Sequence, residues 1–183
     1  EGGLHRLTLA DEKVKRILKL PGIHMRGRGG IDYEWSPDMK WIAYTTRTGS
    51  ESYNIWVIPA EGGDPKNITQ LSAYHSQPTW SQEGKYLYFQ SDRSGDGLYR
   101  VALQPAEFRS SDTDEKFTKP IKPVEVKIEF AGISKRIHKV ISTNPSSDLT
   151  ITKDGKIYFL SEGNVYRVSY SGRDVKKMNS DGA

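Results

Sequence analysis

The sequence predicts an all-β chain folded as a partial β-propeller of four-stranded antiparallel blades, and three observations predict it. The first is a strand end, a tight turn and an apolar strand that recur together. Trp35-Ser-Pro-Asp-Met-Lys-Trp-Ile-Ala-Tyr44 returns as Trp80-Ser-Gln-Glu-Gly-Lys-Tyr-Leu-Tyr-Phe89 and, more weakly, as Ile151-Thr-Lys-Asp-Gly-Lys-Ile-Tyr-Phe-Leu160. The second is a trailing unit, Asn54-Ile-Trp-Val-Ile58, Gly97-Leu-Tyr-Arg-Val101 and Asn164-Val-Tyr-Arg-Val168, with a fourth copy, Gly3-Leu-His-Arg-Leu7, standing alone. The third is the period: 45 residues separate Trp35 from Trp80, and several short strands in a period of that length mark propeller blades.

The elements follow in order. Residues 4–20 hold two strands around the turn Ala10-Asp-Glu-Lys13 and match the second half of a blade. A glycine-rich crossing over residues 21–30 leads to the first complete blade, about 31–71. There Pro37-Asp38 suits a type I turn, whereas Gly84 and Gly155 of the later copies fall where a left-handed residue closes the hairpin. Met39 holds that place in the first copy, which predicts a strained turn or another turn type. In all three copies the second strand is apolar on both faces. A half-exposed strand alternates, so each blade has a neighbour on either side.

The second blade runs over about 76–141, and the third over about 148–178. Between them the period breaks: Trp80 to Ile151 is 71 residues. The excess is an insertion near 104–132. Its polar part, Pro105 to Pro123, reads as mobile, and Val124–Phe130 alternates as a strand should. Lys135–Ile141 then repeats the pattern of Val14–Leu20 and reads as the delayed fourth strand. Half a blade and three whole ones fall short of a closed ring, so the expectation is a piece of a longer propeller or a chain that lacks its partner.

Composition excludes several classes. The 183 residues, 35% hydrophobic, contain no cysteine, so disulfides and thiolate metal sites are absent. No apolar run reaches the length of a membrane span, and no signal peptide is visible. The net charge of +4 invites a nucleic-acid reading. The basic residues cluster at Lys13–Lys19, Lys135–Lys139 and Arg173–Lys177, on outermost strands, where lysine discourages edge pairing. No aromatic residue is interleaved for base stacking, so nucleic acid is not expected as a partner.

The motif Trp-Ser-Pro-Asp-x-Lys-x-Ile-Ala-Tyr with Asn-Ile-Trp-Val and Glu61-Gly-Gly, and its second copy with Ser91-Asp-Arg93, resembles the TolB-like propeller repeat over about two-thirds of the chain. The stretch Pro123-Val-Glu-Val-Lys-Ile-Glu-Phe-Ala-Gly-Ile-Ser-Lys-Arg-Ile137 is similar to the propeller region of bacterial homologues of tricorn protease, with Glu129 where that family often has aspartate. Members carry propellers ahead of a PDZ module and a serine peptidase domain. The resemblance implies a peptide-cleaving parent whose propellers filter or guide substrate. A TolB-like binding module without an enzyme, and the gating propeller of a prolyl-oligopeptidase-like enzyme, are the alternatives. The partners implied are peptides or proteins, the rest of the parent chain, and further copies in a homo-oligomer.

The residues themselves offer no catalytic or metal set. His5, His24, His75 and His138 make no H-E-x-x-H pair. His5 stands where Tyr99 and Tyr166 stand and reads as a packing residue; His138 reads as solvated. His75-Ser76 lacks the G-x-S-x-G elbow. Asp92-Arg-Ser-Gly-Asp-Gly97 fails the calcium-loop pattern and reads as a polar hairpin. No cofactor motif is present, and none is expected. The binding candidates are Arg26, Arg28, His75 and Arg93. In a propeller the blade-to-blade crossing and the loop between strands two and three share one face, so these residues would share a rim. Arginines there would hold a peptide carboxylate by bidentate pairing.

Overall fold

The computed structural model describes residues 3–19, 32–49, 52–109, 125–143 and 145–179. Strands β1 (Gly3–Thr8) and β2 (Lys13–Lys19) form a two-stranded sheet, the half-blade. The first blade comprises β3 (Tyr33–Trp35), β4 (Trp41–Arg47), β5 (Tyr53–Pro59) and β6 (Lys66–Asn67). The second comprises β7 (His75–Trp80), β8 (Tyr86–Ser91), β9 (Gly97–Ala102) and β10 (Ile137–Ile141). The third comprises β11 (Ser147–Ile151), β12 (Ile157–Ser161), β13 (Asn164–Val168) and β14 (Lys176–Lys177). In every sheet the strands lie in sequence order and each neighbouring pair is antiparallel.

The recurring Trp-Ser pairs have a local cause. Ser36 Oγ accepts the N–H of Trp41, and Ser81 Oγ accepts that of Tyr86, each at 2.9 Å, so the hydroxyl seals the turn from inside. Gly84 and Gly155 have the expected positive φ, 68° and 76°. Met39 takes φ 60° without glycine's freedom. The turn tolerates it because Asp38 Oδ1 receives both Ser36 Oγ and the Lys40 N–H. Gly84 is required for a second reason: a Cβ there would lie 2.7 Å from Val126 Cγ2.

Three apolar layers hold the array, one at each joint. Ile17 with Ile42, Tyr44 and Ile58 joins the half-blade to the first blade. Ala43, Ile55 and Val57 meet Trp80, Leu87, Phe89 and Val101 at the next joint. Tyr86, Tyr88 and Leu98 meet Ile157, Phe159 and Tyr170 at the third. Since a buried side chain of this size contributes about 1.5–3 kcal/mol, these joints outweigh any surface ion pair. They also explain why the second strands are apolar on both faces.

Several expectations change. Residues 125–130 form no ladder, although their alternation suggested a strand. Val126 is buried and Ile128 and Phe130 pack on the same layer, so the alternation reports one covered face. The segment is instead pinned by Arg136, which donates to the carbonyls of Ala102 and Ala131, each at 2.9 Å, and to those of Leu103 and Glu129. The turn of the third copy is one residue shorter. Ser36 and Ser81 N–H groups reach the carbonyls of Trp41 and Tyr86, but Thr152 N–H reaches that of Lys156. A one-residue slip inverts the faces of a strand, so Ile157 stands with Leu87 and Ile42, not with Tyr86 and Trp41. His138 is not solvated: its Nε2 accepts Arg100 Nε at 2.7 Å. The segment 110–124, which holds most of the expected mobile insertion, lies outside the described residues. Pro105–Arg109 before it is one helical turn, α1, with Glu107 accepting Lys85 Nζ at 2.9 Å.

Candidate functional site

Where the first and second blades meet on one rim, the β4–β5 turn approaches the β8–β9 turn and the lead into β7. Tyr53 N–H donates to Ala73 O at 3.0 Å, and Asp92 Oδ1 accepts the N–H of Tyr74 at 2.8 Å. The Tyr53 and Tyr74 rings pack at 5.1 Å. These cross-blade bonds frame an open cleft of about 620 Å³, lined by hydroxyls of Thr48, Ser52 and Ser72 and by Tyr74, Asp92 and Arg93.

His75 lies under this rim. It is 0% exposed, packed edge-on against Phe89 at 5.5 Å, and neither ring nitrogen has a hydrogen-bond partner among the described residues. Burial first, and the neighbouring Arg93 guanidinium second, push its pKa down to about 4. The imidazole is therefore neutral at physiological pH. Arg93 Nη1 is likewise buried without a partner among the described residues. A buried, unpaired polar atom is costly.

A second groove, of about 280 Å³, runs beside the cleft where β3, β7 and β11 stand together; Asp32, Glu34, Gln77 and Asp148 line it. Glu34 ties two blades: its Oε2 accepts Trp80 N–H at 2.9 Å and its carbonyl accepts Trp80 Nε1 at 3.1 Å. Burial raises its pKa to about 7, against the pull of the Trp80 N–H. The wall that the inner strands present is thus acidic, beside a rim that carries arginine.

The stacked four-stranded sheets and their ordered joints decide the fold, which the chain shares with TolB and with tricorn protease. A TolB from Acinetobacter baumannii superposes with a TM-score of 0.62 at 18% identity, over 97% of this chain and 37% of that one. Hydrazine synthase of Kuenenia stuttgartiensis gives 0.61 at 15% identity, over 96% and 28%. Tricorn protease gives 0.53 at 15% identity, over 98% and 24%. Among curated sequences, a protein named as a tricorn-like protease C-terminal subunit from Sulfurisphaera tokodaii is 28% identical over 117 residues, 57% of this chain and 13% of its own length. An uncharacterized peptidase of Bacillus subtilis is 26% identical over 68 residues, 37% of this chain and 10% of its own. The chain thus spans a small part of the relatives it matches. No protein-family model matches it.

Of the four residues predicted for the rim, Arg93 lines the cleft, whereas His75 is 0% exposed and does not. Arg26 and Arg28 lie outside the described residues. Tyr53, Tyr74 and Asp92 went unnoticed in the sequence as cleft residues, because only the meeting of two blades makes them neighbours. Asp92 does stand in the Ser91-Asp-Arg93 motif, which was the available signal. Ser76 Oγ donates to Gln90 Oε1 at 3.0 Å, not to His75, so the pair is not arranged as nucleophile and base. The Asp92–Gly97 loop uses Asp92 to hold Tyr74, with Gly95 at φ 82° closing the turn. Among the described residues no helix is long and apolar enough to cross a membrane.

Proposed function

We propose that this chain is a propeller segment of a tricorn-like serine peptidase, that it guides peptides without cleaving them, and that the rim cleft receives their C-terminal carboxylate. The observation that carries this reading is the Arg93 guanidinium in the lining of the cleft, above a neutral, buried His75. Guanidinium and carboxylate match in shape and charge. His75 is uncharged and buried, so it adds no competing charge. Asp92 also faces the cleft, but Tyr74 N–H engages it. The hydroxyls of Thr48 and Ser72 suit the peptide backbone. Support also comes from the peptidase names among the curated relatives. Arg26 and Arg28 belong to the same proposal as further arginines of this rim.

The test is a titration of the chain with one peptide in two forms, free acid and C-terminal amide. The free acid should bind more tightly, by about tenfold, the equivalent of ~1.4 kcal/mol. The difference should shrink as salt screens the charge and vanish in Arg93→Ser. Equal binding of acid and amide overturns the carboxylate reading and leaves a TolB-like surface for docking whole proteins.

A further inference from the structure

A pair of tyrosines departs from the repeat at the joint between the first and second blades. Tyr53 immediately precedes the third-strand unit, where the other copies have Gly2, Asp96 and Gly163. Tyr74 stands six residues before Trp80, whereas Gly29 and Pro145 hold that place before Trp35 and Ile151. Pro145 is buried. The blade architecture therefore demands tyrosine at neither position. The two rings pack at 5.1 Å, tilted by 56°. Tyr74 remains 48% exposed, on the lining of the rim cleft that also holds Arg93.

Both the backbone and the ring of Tyr74 are held. Its N–H donates to Asp92 Oδ1 at 2.8 Å, and its carbonyl accepts the N–H of Asp92 at 3.3 Å. From the first blade, Tyr53 N–H donates to Ala73 O at 3.0 Å, and Tyr53 and Tyr74 form a parallel bridge. A single exposed aromatic residue is ordinary surface. One that two blades already hold in place loses little further motion on binding, and tyrosine and arginine are the residues that anchor interfaces. Arg93 directly follows Asp92 in the chain, so the ring and the guanidinium lie within reach of one bound amino-acid residue.

We propose that Tyr74 is the specificity-determining residue of this cleft and selects peptides whose C-terminal residue is aromatic. The inference rests on the reading of the cleft as a site for a peptide's C-terminal carboxylate. With that carboxylate on Arg93, the side chain of the same residue packs on the exposed part of the Tyr74 ring. Two rings attract beyond the apolar area they cover, and this separates an aromatic side chain from an aliphatic one. Tyr53, behind Tyr74, keeps the ring from turning away from its ligand.

Fluorescence anisotropy of the purified chain with short, N-terminally labelled peptides tests it. The peptides share one sequence and end in Phe, Leu or Ala, each as free acid and as amide. The Phe acid should bind about tenfold more tightly than the Ala acid and about threefold more tightly than the Leu acid. Tyr74→Ser keeps the main-chain bonds of the site and should abolish both preferences while the acid still binds more tightly than the amide. Tyr74→Phe should retain both. Equal binding of the Phe and Ala acids, a Leu acid that matches the Phe acid, or preferences that survive in Tyr74→Ser overturn this inference alone, provided that acid and amide still differ. Equal binding of acid and amide, with a Phe preference that Tyr74→Ser abolishes, upholds Tyr74 as the selecting residue and overturns the carboxylate reading. No binding of any of the peptides overturns both.

Discussion

Trp80→Ala is the sharpest perturbation of the joint between the first and second blades. The ring is 1% exposed and sits against Ala43, Val57 and Val101. Its Nε1 also satisfies the carbonyl of Glu34 at 3.1 Å. Truncation empties the middle of that layer and leaves the carbonyl without its donor. Removing a buried aromatic ring costs about 3–5 kcal/mol, and an unmet carbonyl places this site toward the upper end. With a urea slope of about 2 kcal/mol per molar, the unfolding midpoint should fall by about 1.5–2.5 M. Trp35 holds the same repeat position but is half-buried, because the half-blade before it shows only two strands among the described residues. Trp35→Ala should therefore cost about half as much. Urea unfolding followed by circular dichroism reads both. A Trp80→Ala loss below about 1 kcal/mol, or a Trp35→Ala loss that matches or exceeds it, would refute the reasoning.

Further predictions concern charge and pinning. Glu34, raised to about 7 by burial, holds its proton in the folded state where the unfolded chain, with an ordinary value of 4.5, has lost it. Its contribution is complete below that ordinary value and disappears as pH rises through 7; the stability of wild type relative to Glu34→Gln should drop by about 1–3 kcal/mol across that window, and a flat difference contradicts it. His75 acts in the opposite sense. Its pKa is depressed from 6.5 to about 4, so stability falls as pH drops through that range, and His75→Phe should flatten this acid limb; an unchanged limb counts against a buried neutral imidazole. Arg136→Met strips donors from four carbonyls and should cost about 2–4 kcal/mol, with faster amide exchange at Glu129, which donates to Leu103 O; exchange as slow as wild type speaks against Arg136 as the pin. The purified chain should turn over no peptide, and turnover blocked by a serine-directed inhibitor contradicts a purely guiding role.

The sequence made the repeat legible because the same chemistry recurs locally. Ser36 and Ser81 seal turns within a few residues of themselves, and Leu87 or Phe89 needs only its own strand to announce a covered face. The propeller of four-stranded antiparallel blades, similar to TolB and tricorn protease, is what those signals predicted. What the sequence hid depends on distant partners. Glu34 becomes a buried acid only when Trp80 of the next blade closes over it. His75 looks like a rim residue until Phe89 and Arg93 enclose it. The shortened turn at Thr152–Lys156 preserved the motif letters while shifting every later side chain of β12 to the other face. His5, expected to pack as Tyr99 does, is exposed, with no sheet among the described residues covering that face of the half-blade. Residues 125–130 alternate like a strand, yet they lie outside every ladder and serve the core through Val126 alone among the fully buried positions.

The most direct test of the functional account is where a peptide's carboxylate lands. Amide and arginine side-chain resonances of the isotopically labelled chain, recorded with the free-acid and the amidated peptide, locate it. The account predicts that the free acid perturbs Thr48, Gly49, Ser52, Tyr74 and the Arg93 side chain, and that the amide leaves Arg93 unmoved. Perturbations centred on Arg167 and the third blade, or the same Arg93 response to both peptides, would contradict it.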